Sequence, residues 1–324
     1  MKKIITVLLS AAMIFSMTAC SGTAKPGNDT DKIKVVTTVF PEYDWVREVA
    51  GKDAGNIDCT MLLDNGVDIH SFQPSAEDIL KIKESDLFIY VGGESDEWVD
   101  DVLADKSKPD QKVINLMDIL KDEVKEEETV EGMQEEEEEG EDEEETEYDE
   151  HVWLSLRKAQ KVVTKIAEDL SALDAAGRER YESNAKAYNE KLSALDARYK
   201  ETVDNASVKT IVVADRFPFR YLADDYGLKY YAAFAGCSAE TEAKFDTVVF
   251  LAGKIDELGL KNVLTIEGGN NKIAETVISN TKDKNAGTKV LDSLQSTTSK
   301  DIEAGKTYLS VMESNLEVLK SVLG

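Results

Sequence analysis

Short runs of β-branched and aromatic residues alternate with helix-period stretches on both sides of a long, charged, helical middle. KIKVVTTVF (32–40) reads as a strand, and PEYDWVREVAG after it as a helix, with Tyr43, Val46, Val49 and Ala50 near helical spacing before Gly51. NIDCTMLL, DLFIYVGG and QKVINL are further strands, with helices at PSAEDILKIKES, opened by Pro74 and Ser75, and around DEWVDDVLAD. Beyond the middle, KTIVVAD, LKYYAAFAG, NVLTIEGG and TKVLDSL read as strands, and FPFRYLADDYG, ETEAKFDTVVFLAGKIDELG, NKIAETVISNTK and KTYLSVMESNLEVLKSVL as helices. Such alternation implies βαβ units and mainly parallel sheets. The middle gives two helices, over 155–171 and about 176–204; the second would be roughly 40 Å long at about 1.5 Å per residue. The expected fold class is α/β: an N-terminal lobe over 33–174, one long linking helix over 175–206, and a C-terminal lobe over 207–324. No internal repeat of fixed period is present.

The first residues, MKKIITVLLSAAMIFSMTAC, carry Lys2 and Lys3, an apolar run from Ile4 to Met17, and small residues before a cysteine. This is an export signal over 1–19, too short and wrongly flanked for a membrane span. Met17-Thr18-Ala19-Cys20 resembles a bacterial lipobox, in which Cys20 is acylated and anchors the chain to the bilayer; two or three acyl chains hold firmly where one binds marginally. Residues 20–32 then form a flexible, lipid-anchored tether rich in Gly, Pro, Ser and Asp. The expected location is the outer face of the cytoplasmic membrane, at a bacterial surface or in a periplasm. Of the two other cysteines, Cys59 sits in a strand-like run and Cys237 in a Gly-containing loop; whether they pair stays open.

The formal charge is −27, of which −18 falls in residues 122–150, leaving −9 for the rest. Clustered Lys and Arg for phosphate neutralisation are absent, which excludes a nucleic-acid partner. Like charges with few apolar groups predict disorder over about 122–149, and such an insert could act as a weak collector of cations. It stops at His151, one of only two histidines in 324 residues.

Nucleophilic-enzyme signatures are missing: there is no G-x-S-x-G, H-E-x-x-H or P-loop, and the VGGES stretch at 91–95 reads as a turn. The segment GVDIHSFQPSAEDI (66–79), followed by DEHVWLSLRKA, LTIEGGNNKIAETV and KVLDSL, resembles in order the metal-binding solute-binding lipoproteins of bacterial zinc and manganese ABC importers. The resemblance runs from about residue 33 to 324. It implies two α/β lobes with the metal in the interlobe cleft, no catalysed reaction, cargo Zn²⁺ with Mn²⁺ as the alternative, an integral-membrane permease as partner, and a monomer.

By the same resemblance His70 and His151 are metal ligands and Asp292 is the acidic fourth. The third position, His or Glu in the family, falls on Arg216, whose guanidinium stays protonated and cannot coordinate. Asp215 beside it is the available replacement, against a cap or an ion pair with Arg216. Arg216 and Glu267 are expected just outside the ligands, and Glu240 and Glu242 are further candidates. Two readings from other classes remain, a metallohydrolase, which needs an open metal position and a general base, and a surface adhesin with a metal site.

Overall fold

The computed structural model describes residues 32–51, 54–104, 108–134, 147–238, 242–269 and 271–324. The export signal, Cys20 and all of the tether before Lys32 lie outside the described residues, as do 135–146 of the acidic run and Glu240. No helix among the described residues is long and apolar enough to cross a membrane.

Eight strands make two sheets. The first holds β1 (Ile33–Thr37), β2 (Ile57–Met61), β3 (Leu87–Tyr90) and β4 (Lys112–Asn115) in the order β2-β1-β3-β4; the second holds β5 (Thr210–Arg216), β6 (Lys229–Phe234), β7 (Asn262–Ile266) and β8 (Gly287–Leu291) in the order β6-β5-β7-β8. Every pairing is parallel, with Val35 opposite Cys59 on one side and Leu87 on the other, and Val213 opposite Ala232 and Leu264. The two halves share one strand permutation although no sequence repeat announces it. Inner strand β3 is buried along its whole length, Leu87 to Tyr90, because helices cover both faces of a parallel sheet. In each sheet the order reverses between the first and third strands, β1 and β3 or β5 and β7. The crevice outside the carboxyl ends of such strands is where open α/β sheets bind ligands.

Helices α1 (Phe40–Ala50), α2 (Ala76–Glu84), α3 (Trp98–Ala104) and the single turn α4 (Leu116–Ile119) belong to the first half, followed by α5 (Leu156–Leu173) and the long α6 (Arg178–Asp204). The second half adds α7 (Arg220–Tyr226), α8 (Phe245–Leu258), α9 (Lys272–Asn280), the short α10 (Ser299–Glu303) and α11 (Tyr308–Leu323). Neither short helix, α4 nor α10, is visible as a periodic run in the sequence; α10 is set by its cap, Thr298 Oγ1 accepting from Asp301 N and Asp301 Oδ2 from Thr298 N. On α6 the buried residues are Tyr181, Ala185, Tyr188, Leu192, Leu195, Tyr199 and Val203, one stripe at three- and four-residue spacing on an otherwise charged helix. Its first half meets α1, where Asn184 Nδ2 donates to the Val49 carbonyl at 3.0 Å. Its last turns meet α11, where Tyr199 Oη donates to the Met312 carbonyl at 2.5 Å. One helix thus packs against a helix of each half, and residues 32–324 form a single compact unit.

The acidic segment departs from expectation in its first part. Residues 123–134 contain no helix or strand, yet they pack on the second half. Met133 is buried, Gln134 N donates to the Ala233 carbonyl at 3.0 Å, and Gln134 Oε1 accepts from Lys244 N at 2.7 Å. Arg220 pairs with Glu128 at 2.8 Å, and Glu126 bridges to Tyr148. A few apolar anchors and backbone pairings outweigh the local charge repulsion here.

The strand ends of the first half are capped by buried carboxylates. Glu42 Oε2 accepts from Thr38 N, Thr38 Oγ1 and Val39 N, and Asp96 Oδ2 accepts from Val91 N and Gly92 N. Burial, with Asp96 adding to it, pushes the Glu42 carboxyl up to about 8 despite those donors. An acid raised in this way contributes stability that is complete below its unfolded value and is lost as pH rises through the folded one. Stability is therefore expected to decline between about pH 5 and about pH 8, and Glu42→Gln, neutral throughout, to flatten that decline. Urea melts of both proteins across that window check this; parallel profiles would show that Glu42 does not carry the proton.

Candidate metal centre

The site is built where the halves meet. After β2 the chain forms a 3-10 turn, Ile69–Ser71, capped by Asp68, whose Oδ1 accepts the His70 N–H at 3.1 Å. This places His70 at the carboxyl edge of the first sheet with its ring partly buried. After β3, Gly92 and Gly93 take positive φ, 90° and 83°, to turn the chain into Glu94–Asp96. Gly93 also lies so close to Glu150 that an added Cβ would sit 2.4 Å from its Oε1. The turn delivers Ser95, whose Oγ is 2.7 Å from His70 Nδ1 and whose N–H donates to Glu150 Oε1 at 2.9 Å. His151 precedes another 3-10 turn, Val152–Leu154, and is completely buried; Asp149 Oδ1 accepts its backbone N–H at 2.9 Å and lies 3.1 Å from its Nδ1.

Each imidazole thus turns Nδ1 to an oxygen and Nε2 to the other ring, and the two Nε2 atoms are 3.4 Å apart. Oxygen partners on Nδ1 fix which nitrogen is free to coordinate and raise its basicity. Two nitrogens each about 2.0–2.1 Å from a tetrahedral zinc stand about 3.3–3.4 Å apart. The observed separation matches without adjustment. Burial and then the neighbouring His151 push His70 down to about 3, keeping its ring neutral. For His151 burial acts in the same direction, but the Asp149 carboxylate outweighs it and raises the imidazole. Glu150 adds a buried carboxylate, raised by desolvation, whose Oε2 has no hydrogen-bond partner and lies 3.7 Å from His70 Nδ1.

A third donor comes from the loop after β6. One donor atom from each of His70, His151 and Cys237 lies within 4.8 Å of the other two, and among the described residues no other group of three His, Cys, Asp or Glu does so.

The family of the zinc-uptake complex component A, periplasmic (ZnuA), matches residues 35–322. The chain belongs to that family. It is 36% identical over 322 residues to the zinc-binding lipoprotein AdcA of Streptococcus pneumoniae serotype 4, covering 99% of this chain and 61% of AdcA, so this chain spans about three-fifths of that relative's length. It is 32% identical over 328 residues to the high-affinity zinc uptake system protein ZnuA of Bacillus subtilis, covering 99% of this chain and 98% of that protein. Among solved structures, the Zn(II)-bound ZnuA-like domain of S. pneumoniae AdcA superposes with a TM-score of 0.70 at 31% identity, over 90% of this chain and 99% of that one.

Within this ZnuA-family chain the residues singled out from the sequence separate into two sets. His70 and His151 come together. Asp215, at the end of β5, accepts from Arg216 N at 3.0 Å and Ile266 N at 3.4 Å, with burial raising its carboxyl. Asp292 pairs with Lys306 at 2.9 Å and accepts from Leu294 N at 2.8 Å. Neither enters the group of three. Glu267 accepts from Ser293 N and Ser293 Oγ, both at 2.7 Å, and its carboxyl is raised by burial and by Asp292 beside it. Glu242 is exposed. Arg216 crosses between the halves: Nη2 reaches Asp68 Oδ2 at 2.5 Å and Nη1 the Ser238 carbonyl at 3.3 Å. Burial disfavours the Asp68 charge, but the guanidinium beside it holds the carboxyl below its usual range. Cys237 was not anticipated as a donor. The available signal was its place just past a strand end, in FAGCSAE. Cys59 and Cys237 are both free.

Oxygen partners of metal-bound imidazoles contribute about 10–100-fold to affinity. Asp149→Asn, which keeps an oxygen for His151, is expected to weaken zinc binding by about tenfold, and Asp149→Ala by about 100-fold. Competition against a chromophoric chelator measures both, and equal affinities in all three proteins would refute the orienting role.

Proposed function

We propose that this chain is the extracytoplasmic binding component of an ABC importer, capturing a divalent transition metal, Zn²⁺ before Mn²⁺, and passing it to an integral-membrane permease. The observation that carries this reading is the pair of imidazoles, one buried and one partly buried, each oriented by an oxygen on Nδ1, with Nε2 atoms at the spacing a zinc ion needs. The zinc-uptake family match over residues 35–322 and the names of the relatives point the same way. Among the described residues no carboxylate joins the two histidines in a group of three donors, and an imidazole-centred set favours zinc over manganese, which prefers oxygen ligands.

In this reading His70 and His151 are cargo ligands, while Asp215 and Asp292 are structural, because their carboxylates are occupied by backbone N–H groups and by Lys306. The metal is transported and no reaction is catalysed. Acylated Cys20 would hold the chain at the outer face of the cytoplasmic membrane, next to the permease.

Native mass spectrometry with equal Zn²⁺ and Mn²⁺ is expected to show one zinc per chain, and His70→Ala or His151→Ala to lose it. Cells lacking the chain should accumulate less zinc at limiting supply and recover on re-expression of the wild type but not of His151→Ala. Absence of stoichiometric metal, or preference for manganese, would overturn the reading.

A further inference from the structure

We infer that Cys237 is a direct ligand, its thiolate joining His70 and His151 in a two-nitrogen, one-sulfur site for a thiophilic divalent cation. This rests on the reading of the histidine pair as the cargo site and names the donor supplied by the second half of the molecule. Four independent features of the Cys237 loop support it.

First, the Cys237 donor lies within 4.8 Å of a ring nitrogen of each histidine, in the one such group among the described residues. Second, the loop approaches as closely as the backbone allows. An added Cβ on Gly236 would lie 3.1 Å from His151 Cε1, 3.2 Å from His151 Nδ1 and 3.0 Å from the Phe217 carbonyl, so a larger residue would push Cys237 away from the ring. Third, the loop is held from both sides. The Cys237 N–H donates to Glu127 Oε1 at 2.9 Å, and the Ser238 carbonyl accepts from Arg216, whose other nitrogen reaches Asp68 in the His70 turn. Arg216 is therefore a brace that ties the Cys237 loop to the His70 turn. Fourth, the thiol is in no disulfide: the other described cysteine, Cys59, lies in β2, paired with β1, and both are free.

A partly buried thiol outside any disulfide, set against two imidazoles, is the donor combination that selects zinc and its soft analogues over manganese, magnesium and calcium. Cation binding releases the thiol proton to solvent as the sulfur coordinates.

The test uses the full chain loaded with one equivalent of Co²⁺ or Zn²⁺. Wild-type protein with Co²⁺ is expected to show a near-ultraviolet thiolate-to-cobalt charge-transfer band, absent in Cys237→Ser and unchanged in Cys59→Ser. Zinc-edge X-ray absorption of the wild type, which needs no variant to fold, is expected to show one sulfur at about 2.3 Å. Cys237→Ser should bind zinc about 100-fold or more weakly, since even indirect partners are worth about 10–100-fold. If cobalt and zinc bind stoichiometrically with no sulfur in the absorption spectrum, Cys237 is not a ligand and the histidine site stands. If neither metal binds, the proposed function falls together with this inference.

Discussion

Asp149, Glu150 and His151 are three consecutive ionisable residues sealed between the two sheets, and most of the architecture serves to make that burial tolerable. A carboxylate taken out of water is costly unless hydrogen bonds replace its hydration. Each residue of the three is supplied from a different part of the chain. Asp149 serves the backbone and ring of His151, its own carbonyl accepts from Tyr221 Oη at 2.7 Å, and its N–H donates to the Lys125 carbonyl. Glu150 takes the Ser95 N–H, and His151 faces His70. Beyond them Trp153 donates to the Ser293 carbonyl, Tyr308 donates to the Trp153 carbonyl, and Ser155 donates to Asp225. One short segment is thus gripped by both halves, and its histidine has little freedom left.

The pair of parallel sheets explains why such a segment can exist. Identical strand orders place two reversal points, one per half, and α6 packs against α1 of the first half and α11 of the second. The first crevice contributes Ser95 and the His70 turn, while the second contributes Asp215, Arg216 and Glu267. The two are not equivalent in chemistry. In the first, an imidazole faces its partner His151. In the second, the carboxylates turn to backbone donors and a guanidinium spans the gap to Asp68.

Much of this was legible in the sequence because it is local. Strand and helix identities follow from periodicity, and the long helix from its length. The two histidines stood out because each sits in a short loop before a helix, inside a family-like motif. What could not be read depends on separations that no pattern encodes. Asp215 looked like a replacement ligand from its neighbour Arg216, yet the strand geometry aims its carboxylate at Ile266 N. Arg216, which falls where the family carries a ligand and was expected just outside the ligands, bridges to Asp68, 148 residues away in sequence. Cys237 lies near His151 beside Gly236, whose own close approach to that ring is a fact of packing that the tetrapeptide AGCS does not state. Composition also misjudged residues 123–134, where charge predicted disorder but Met133 is buried and Gln134 finds partners on β6 and before α8.

These ties bear on how a bound cation could leave. Separation of the halves as rigid bodies would have to break the Trp153, Tyr308, Tyr221 and Ser155 hydrogen bonds together, several of them buried, each with a desolvation cost of about 1–3 kcal/mol if left unmade. Movement of the His70 turn disturbs far less. That turn is partly exposed, has no regular structure between β2 and α2 beyond Ile69–Ser71, and is held across the gap by the Arg216–Asp68 pair and the Asn65–Thr298 bridge. The His70 ring hydrogen-bonds Ser95 Oγ and faces His151, with the Asp68 and Glu150 carboxylates 3.9 and 3.7 Å from its nitrogens. His151 is therefore held by more of the core than His70 is.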